Sequence, residues 1–270
     1  MSESGIATLA PVEGLDVDLT DGVLSLTINR PDSLNSLIIP VITGLADAVE
    51  HAATDPAVRV VRLGGAGRGF SSGAGISADD MSGGGGVPPD EIILEINRLI
   101  RAITALPRPV VAVVQGPAAG VGVSIALACD VVLASEKAFF MLAFTKIGLM
   151  PDGGASALIA AAVGRIRALK MALLPERLTA AEALSWGLVS EVYPAEEFDA
   201  EVDKVIARLL SGPAVAFAKT KGAINAATLT ELDATLEGEF EGQSGLLQAP
   251  DFKEGTKAFQ ERRAPSFTDS

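Results

Sequence analysis

Two short segments near the start of the chain alternate apolar and polar residues, which is the pattern of half-buried strands. They are residues 15–19 and 23–28, and the turn dipeptide Asp21-Gly22 lies between them. An Asp-Gly pair flanked by alternating hydrophobic residues is a strong hairpin signal. The chain is therefore predicted to begin with two antiparallel strands.

Helical and strand patterns then alternate along the next part of the chain. Apolar residues at helical spacing predict helices over residues 38–54, 91–106 and 121–129. Runs of apolar residues, many of them β-branched, predict buried strands over residues 58–63, 110–114 and 131–133. This alternation predicts an α/β core with crossover connections.

The pattern becomes almost wholly helical from Gly153 onward. Helices are predicted over residues 155–163, 166–174, 180–186, 198–210, 215–226, 229–247 and 252–262. We expect a core of residues 1–195 followed by a helical subdomain of residues 196–270. The last helices are rich in Ala and Glu, and we expect them to form that subdomain or an oligomer interface.

A Gly- and Ser-rich segment, residues 64–86, interrupts the regular patterns. It contains four consecutive glycines at 83–86 and is followed by Pro88-Pro89. Such a composition packs a core poorly and is typical of a mobile loop beside a site. We therefore expect a loop here.

The composition excludes several kinds of chemistry. The chain has 270 residues, with 34 acidic and 21 basic side chains and a formal net charge of −13. This charge argues against a nucleic-acid partner, because such binding requires neutralisation of phosphates. The lone Cys129 forbids an internal disulfide and a multi-Cys metal site, so we expect a reducing compartment and no metal. The one histidine, His51, lies near a predicted helix end and is interpreted as a surface or capping residue.

Targeting and membrane signals point to a cytoplasmic protein. Residues 1–5 contain an acidic residue and no basic region before an apolar stretch, so they do not resemble a signal peptide. The most hydrophobic run, residues 110–134, is interrupted by Gln115 and Asp130 and is too short to span a bilayer, which needs about 20 apolar residues. We expect a buried core segment and no membrane partner.

One segment matches a hydrolase motif in sequence, but the rest of the chain does not fit that enzyme class. Residues 69–73 match G-x-S-x-G, the nucleophile elbow of α/β-hydrolases, but that fold places its histidine after the serine. The only histidine here precedes it. We therefore interpret the match as accidental. The chain also contains neither a dinucleotide-binding G-x-G-x-x-G after a strand nor a G-K-[ST] phosphate loop.

Two glycine-rich turns have a possible chemical use. They are Ser72-Gly73-Ala74-Gly75 and Ala119-Gly120-Val121-Gly122. Free backbone N–H groups at such a turn or at a helix N-terminus bind anions or a developing negative oxygen. The alternative is that the glycines only permit tight turns between strand and helix. The residues alone leave both interpretations open.

Several motifs in order along the chain identify a family resemblance. They are Asn29-Arg30-Pro31 with Leu34-Asn35-Ser36, the run from Gly69 to Ile76, the run from Pro109 to Gly122, Cys129-Asp130-Val131, the run from Ile147 to Gly154, and the run from Ala181 to Val189. Through these motifs taken together, the chain resembles the enoyl-CoA hydratase/isomerase (crotonase) superfamily over roughly residues 15–260.

This resemblance implies an α/β crotonase-type spiral of ββα units, with a C-terminal helical subdomain that covers the active site. It also implies a homotrimer or dimer of trimers, and an acyl-CoA thioester that is the substrate and not a cofactor. The N–H groups of Ala74 and Val121 would form the oxyanion hole. Further substrate-binding positions are implied at Ser72, Gly73, Gly75, Ile76, Gly120, Gly122, Ser124 and Phe144.

The sequence departs from the hydratases at both of their catalytic glutamates. By position these would be Ser124 and Phe144. Hydration needs a water activated by one carboxylate while another group exchanges a proton. Neither serine nor phenylalanine can replace that pair, so the departures argue against efficient hydratase activity.

Asp152 remains as a candidate base, since several isomerases of the superfamily carry an acidic residue at this place. Moving a double bond needs one base, and apolar neighbours would raise the pKa of this carboxyl toward a working range. The alternative is that Asp152 caps the helix that begins near Gly153. Asp79 and Asp80 are weaker candidates, expected to be solvated. The sequence thus predicts an acyl-CoA isomerase, with a hydratase or a non-catalytic acyl-CoA-binding paralogue as alternatives.

Overall fold

One six-stranded sheet contains the strands that the sequence predicts. The computed structural model describes residues 9–75 and 90–268. Numbered along the chain, the strands are β1 (Leu15–Thr20), β2 (Val23–Ile28), β3 (Val60–Gly65), β4 (Val110–Val114), β5 (Ala118–Ala119), β6 (Val131–Ser135), β7 (Phe139–Met141), β8 (Leu178–Thr179) and β9 (Glu191–Tyr193). The large sheet has the order β1-β2-β3-β4-β6-β9, and β5-β7-β8 form a small second sheet.

The predicted hairpin at the start of the chain is confirmed. β1 pairs antiparallel with β2, and every later pair in the large sheet is parallel. Asp21 and Gly22 both have positive φ, 51° and 86°. A two-residue hairpin turn of this kind requires positive φ at both positions, which Asp and Gly tolerate.

The helices agree closely with the predicted ones. They are α1 (Ile39–Thr54), α2 (Glu91–Ala105), α3 (Val121–Ala128), α4 (Ala155–Val163), α5 (Arg165–Leu173), α6 (Ala180–Trp186), α7 (Phe198–Leu210), α8 (Ala214–Thr228), α9 (Leu232–Leu246) and α10 (Pro250–Gln260). Short 3₁₀ helices cover Pro31–Ser33 and Phe144–Ile147. The expectation of an almost wholly helical second half needs correction for β8 and β9, which have only two and three residues and therefore leave no periodic pattern.

The large sheet is covered on both faces, as expected for a parallel sheet with crossover helices. On one face β2 packs with α1 and α2, through side chains such as Leu26, Leu45 and Leu99. On the other face Val111 and Leu133 pack against α7. The predicted α/β core is therefore confirmed.

The C-terminal helices are joined to this core by apolar and polar contacts. Leu236 of α9 and Phe252 of α10 belong to the main buried cluster. The Nζ atom of Lys221 on α8 donates to the oxygen of Ile103 at 2.8 Å and pairs with Asp130 at 2.9 Å. The boundary at residue 196 stays a prediction.

Part of the expected loop is regular and packed, which corrects the prediction. Phe70 and Ser71 are fully buried, and Ser71 forms a parallel bridge with Ala118. The large apolar side chain of Phe70 supplies the burial that the surrounding glycines cannot. Residues 76–89, including Ile76, Asp79 and Asp80, lie outside the described residues. Within the described part of the chain, no helix is long and apolar enough to cross a bilayer.

Candidate active site

The two glycine-rich turns lie against each other. The N–H of Ala119 donates to the oxygen of Ser71 at 2.9 Å. Gly73 has a φ of 89°, and a methyl group there would lie 2.9 Å from the oxygen of Ala119 and 3.4 Å from the nitrogen of Val121. Glycine is needed at this position, because a side chain would push the turns apart and would strain the backbone.

Among the described residues, the local hydrogen bonds leave the N–H of Ala74 free in the first turn and the N–H groups of Val121 and Gly122 free in the second. The N–H of Leu37 donates to the oxygen of Gly73, and the N–H of Gly75 donates to the oxygen of Leu37, both at 2.9 Å. In a parallel bridge of this type the intervening residue, Ala74, directs its own N–H away from Leu37. Within residues 9–75 and 90–268, the N–H groups of Ala74 and Val121 have no acceptor.

The free N–H of Val121 has a simple structural cause. Val121 is the first residue of α3, and the first N–H groups of a helix have no partner within the helix. The helix dipole places partial positive charge at the same point. Gly122 lets this first turn approach Ser71, since a methyl group at Gly122 would lie 2.9 Å from the Ser71 Cβ. The two adjacent turns thus each carry a main-chain donor that has no acceptor among the described residues.

Phe144 and Ser124, the residues at the hydratase glutamate positions, lie around these turns. The ring of Phe144 is buried, and its Cζ would be 4.0 Å from a methyl group at Gly120. Phe144 therefore forms an apolar wall beside the turn. The hydroxyl of Ser124 donates to the main-chain oxygen of Asp152 at 2.8 Å.

Asp152 is held beside the first turn of α3. Ser124 of α3 binds its main-chain oxygen. In addition, the next residue, Gly153, lies so close to α3 that a methyl group on it would be 3.0 Å from Val121 Cγ2. The structure therefore brings together Asp152 and the N-terminus of α3, which carries one of the free donors. The predicted burial of Asp152 is confirmed, since it is only 6% exposed.

The two oxygens of the Asp152 carboxyl have different surroundings. Oδ2 accepts a hydrogen bond from Nε2 of Gln243 at 3.0 Å. Oδ1 is buried and has no hydrogen-bond partner among the described residues. Burial raises the pKa of Asp152 to about 7, although the bond from Gln243 opposes this rise. The group can accept a proton near neutral pH and can then donate it.

The interpretation of Asp152 as a helix cap is wrong. The N-cap of α4 is Gly154, with a φ of 74°, and no side chain of its own segment caps it. Glu239 of α9 instead accepts the N–H groups of Gly154 at 2.6 Å and Ser156 at 2.9 Å. A carboxylate that is distant in sequence therefore accepts two of the N–H groups that the helix itself cannot pair at this end.

Sequence reasoning missed Glu239 and Gln243, but a signal for them exists. In α9 the buried residues are Leu232, Leu236, Glu239 and Gln243, at helical spacing. A carboxylate and an amide thus continue the apolar face of a helix. Polar groups at buried positions need partners, so they are candidates for a site.

We expect Glu239→Gln to destabilise the protein. A glutamine oxygen can accept one of the two N–H groups, while its NH₂ would face the other donor, at a cost of about 1–3 kcal/mol. Urea unfolding at pH 8 measures this loss. Glu237→Gln, an exposed change on the same helix, is the matched control and should leave the unfolding free energy within about 0.5 kcal/mol. Equal stability of the two variants would contradict the capping role.

The other predicted site residues have structural partners or lie outside the described chain. The hydroxyl of Ser72 donates to the oxygen of Ser33 at 3.0 Å. Ile76, predicted to lie along the CoA, is outside the described residues.

Cys129 is buried with a raised pKa, caused chiefly by desolvation. His51 is exposed in the last turn of α1, as predicted. Within the part that the structure describes, no group of His, Cys, Asp or Glu side chains could hold a metal ion.

Comparison with known proteins identifies the family of this chain. A family model described as enoyl-CoA hydratase/isomerase matches residues 18–270. The chain belongs to the enoyl-CoA hydratase/isomerase family. The resemblance seen in the motifs and the α/β crotonase-type fold are both confirmed.

Some relatives within this family are named isomerases and others are named hydratases. A 1,2-epoxyphenylacetyl-CoA isomerase of Escherichia coli (strain K12) is 36% identical over 92% of this chain and 95% of its own. A probable enoyl-CoA hydratase of Rhodobacter capsulatus is 39% identical over 93% of this chain and 96% of its own. A crystal structure of an enoyl-CoA hydratase from Mycobacterium avium subsp. paratuberculosis K-10 is 79% identical, with a TM-score of 0.91, and covers 96% of this chain and 100% of that one.

Proposed function

We propose that the protein is an acyl-CoA isomerase that moves a double bond, either from Δ3 to Δ2 of an enoyl-CoA or in a ring-type isomerisation. One observation carries this proposal. Within the described residues, Asp152 is buried with one carboxylate oxygen that has no partner, next to the N-terminus of α3, where the N–H of Val121 has no acceptor. A single proton-accepting group beside an oxyanion site is sufficient for isomerisation.

The free N–H groups of Ala74 and Val121 would bind the thioester carbonyl oxygen. Removal of a proton from C2 places negative charge on that oxygen as a dienolate forms. Donors that are fixed in advance stabilise this charge more than they stabilise the neutral carbonyl. Each such donor contributes about 3–4 kcal/mol in comparable sites.

Asp152 would carry the proton. In its ionised form it accepts the proton from C2, and in its neutral form it returns that proton to C4. A catalytic group works best when its pKa lies near the operating pH, and burial raises the pKa of Asp152 to about 7. The CoA thioester is the substrate in this scheme, and no further cofactor takes part.

Hydration is the second candidate, because several relatives are named enoyl-CoA hydratases. It would need a second group to exchange a proton with the substrate or water. Among the described residues, the carboxylate whose charge acts on Asp152 is Glu239. Both of its oxygens already accept main-chain N–H groups. These contacts favour isomerisation.

Purified protein mixed with a 3-enoyl-CoA tests the choice. The isomerase produces a conjugated thioester, so absorbance of the conjugated thioester should rise. The same protein mixed with a 2-enoyl-CoA should not remove that absorbance through hydration. Loss of absorbance from the 2-enoyl substrate without isomerisation of the 3-enoyl substrate would establish a hydratase. Binding of both without reaction would establish a non-catalytic paralogue.

We also propose a trimer-based assembly, as the family resemblance implies, and a cytoplasmic location, as the composition of residues 1–5 and the single Cys129 suggest. Exposed apolar side chains on two helices of the C-terminal half support an assembly, since Ile166 of α5 and Val215 of α8 are 75% and 72% exposed in the single chain. Exposed large apolar residues of this kind favour association. Sedimentation equilibrium should give three or six chains per particle, and a monomer would contradict the assembly.

A further inference from the structure

The side-chain amide of Gln243 joins the main chain before α4 to the carboxyl of Asp152. Its Oε1 accepts the N–H of Met150 at 3.1 Å, and its Nε2 donates to Asp152 Oδ2 at 3.0 Å. The first bond fixes the orientation of the amide, because a main-chain N–H can face only the oxygen. The NH₂ group must therefore face Asp152.

The position of the Asp152 carboxyl is determined at several points. Ser124 binds the main-chain oxygen of the same residue, and Gln243, which is itself 2% exposed, binds one carboxylate oxygen. Of the two carboxylate oxygens of Asp152, Oδ1 is the one that lacks a partner among the described residues. A buried acceptor without a partner costs free energy, so its presence at this point favours a functional explanation.

We infer that Gln243 is a positioning residue for the proposed isomerisation, because it holds Oδ2 of Asp152 and leaves Oδ1 as the one atom that exchanges the proton with substrate. This inference rests on the proposed function. It assigns an active-site role to α9, far along the chain from the motifs of the core. No covalent bond of Gln243 is made or broken, because the proton moves only between a substrate carbon and Oδ1 of Asp152.

Gln243 also has a defined electrostatic effect, because few charged groups of the described residues surround Asp152. Helices α3 and α4 contain no titratable side chain. On α2, Arg98 pairs with Asp47, Glu50 and Glu95, and Arg101 pairs with Asp233 of α9. Glu239 remains as the charged neighbour that disfavours ionisation of Asp152. The N–H of Gln243 is the contact that favours the carboxylate form.

The pH dependence of kcat/KM for a 3-enoyl-CoA tests the inference in Gln243→Met and Gln243→Glu. Methionine has a similar length but no donor, so the midpoint at which activity rises should move up by about 1 pH unit. Glutamate adds a second carboxyl beside Asp152, and the midpoint should move further. Glu241→Gln, an exposed change on α9, is the control and should keep the original midpoint. A lower melting temperature with an unchanged midpoint would overturn the inference.

A measurement on the unchanged protein covers the case in which the variants do not fold. The side-chain amide signals of Gln243, observed by ¹⁵N NMR, should shift with the same midpoint as the ¹³C carboxyl signal of Asp152. Amide signals that do not respond to this titration would refute the contact. This test needs no activity, so a failed isomerase assay overturns the proposed function alone, whereas a missing joint titration overturns the role of Gln243.

Discussion

Asp152→Asn should nearly abolish isomerisation of a 3-enoyl-CoA, with a fall in kcat of about 10³-fold or more. Asparagine can keep the hydrogen bond from Gln243 through its amide oxygen, but it cannot accept a proton at neutral pH. Because the proposed oxyanion donors are main-chain N–H groups, KM should change little. Steady-state kinetics of the variant and of Asp203→Asn, an exposed change on α7, measures the difference. A variant that retains most of its kcat would contradict the assignment of the base.

The same substitution should stabilise the protein at high pH. The pKa of Asp152 is about 7 in the folded protein and 3.8 without the surrounding structure. Between these values the folded state holds a proton that the unfolded state has lost, so stability falls as pH rises, and the full penalty is present above pH 7. That penalty is about 4 kcal/mol. Urea unfolding of Asp152→Asn should therefore show its largest gain at pH 8 and none below about pH 4. A loss of stability at pH 8 would contradict the buried ionised carboxylate.

Gly73→Ala should lower kcat/KM by about 10²–10³-fold while the protein still folds. The added methyl group would meet the oxygen of Ala119 at 2.9 Å, and the φ of 89° is unfavourable for alanine. Relief of these contacts must move Ala74 relative to Val121, which separates the two donors. The effect should appear in kcat/KM because the donors bind most strongly to the developing oxyanion.

A matched glycine variant separates this effect from a general effect of alanine. Gly222 lies within α8, and a methyl group there would have no neighbour within 4 Å. Gly222→Ala should retain full activity and should be slightly more stable, since alanine favours a helix. Equal activity of the two alanine variants would show that the turns do not form the oxyanion site.

The sequence predicted the regular parts of the fold because their patterns are local. Helices α4, α6 and α7 begin and end at the predicted residues, and the hairpin follows from Asp21-Gly22. The short strands β5, β7, β8 and β9 have two or three residues, so no periodicity marks them. These strands depend on pairing with partners elsewhere in the fold, which a local pattern does not contain.

Prediction of the candidate site from the sequence has the same limit. The motifs singled out the two glycine turns and Asp152, and the fold brings the turns together. A local rule, however, suggested Asp152 as a helix cap, whereas the N–H of Gly154 binds Glu239, 85 residues away in the sequence. Tertiary contacts of this kind override local preference, because a buried carboxylate must find donors wherever the fold supplies them.

The substitution at Ser124 gains a physical reason from the structure. By family position a catalytic glutamate of the hydratases would lie there, and the serine hydroxyl instead binds the main-chain oxygen of Asp152. Ser124 therefore offers no carboxylate at this position, and it holds the main chain of Asp152 instead. The residue pattern that argued against hydration also contributes to holding the proposed isomerase base.

The most direct test of Asp152 as the base is the pH dependence of kcat/KM for isomerisation of a 3-enoyl-CoA between pH 5 and 9. Only the ionised carboxyl can accept the C2 proton, and burial raises the pKa of Asp152 to about 7. We predict that kcat/KM rises with pH through a midpoint near this value and then levels off. A rate that is constant from pH 5 to 9, or that falls as pH rises through 7, would contradict the account.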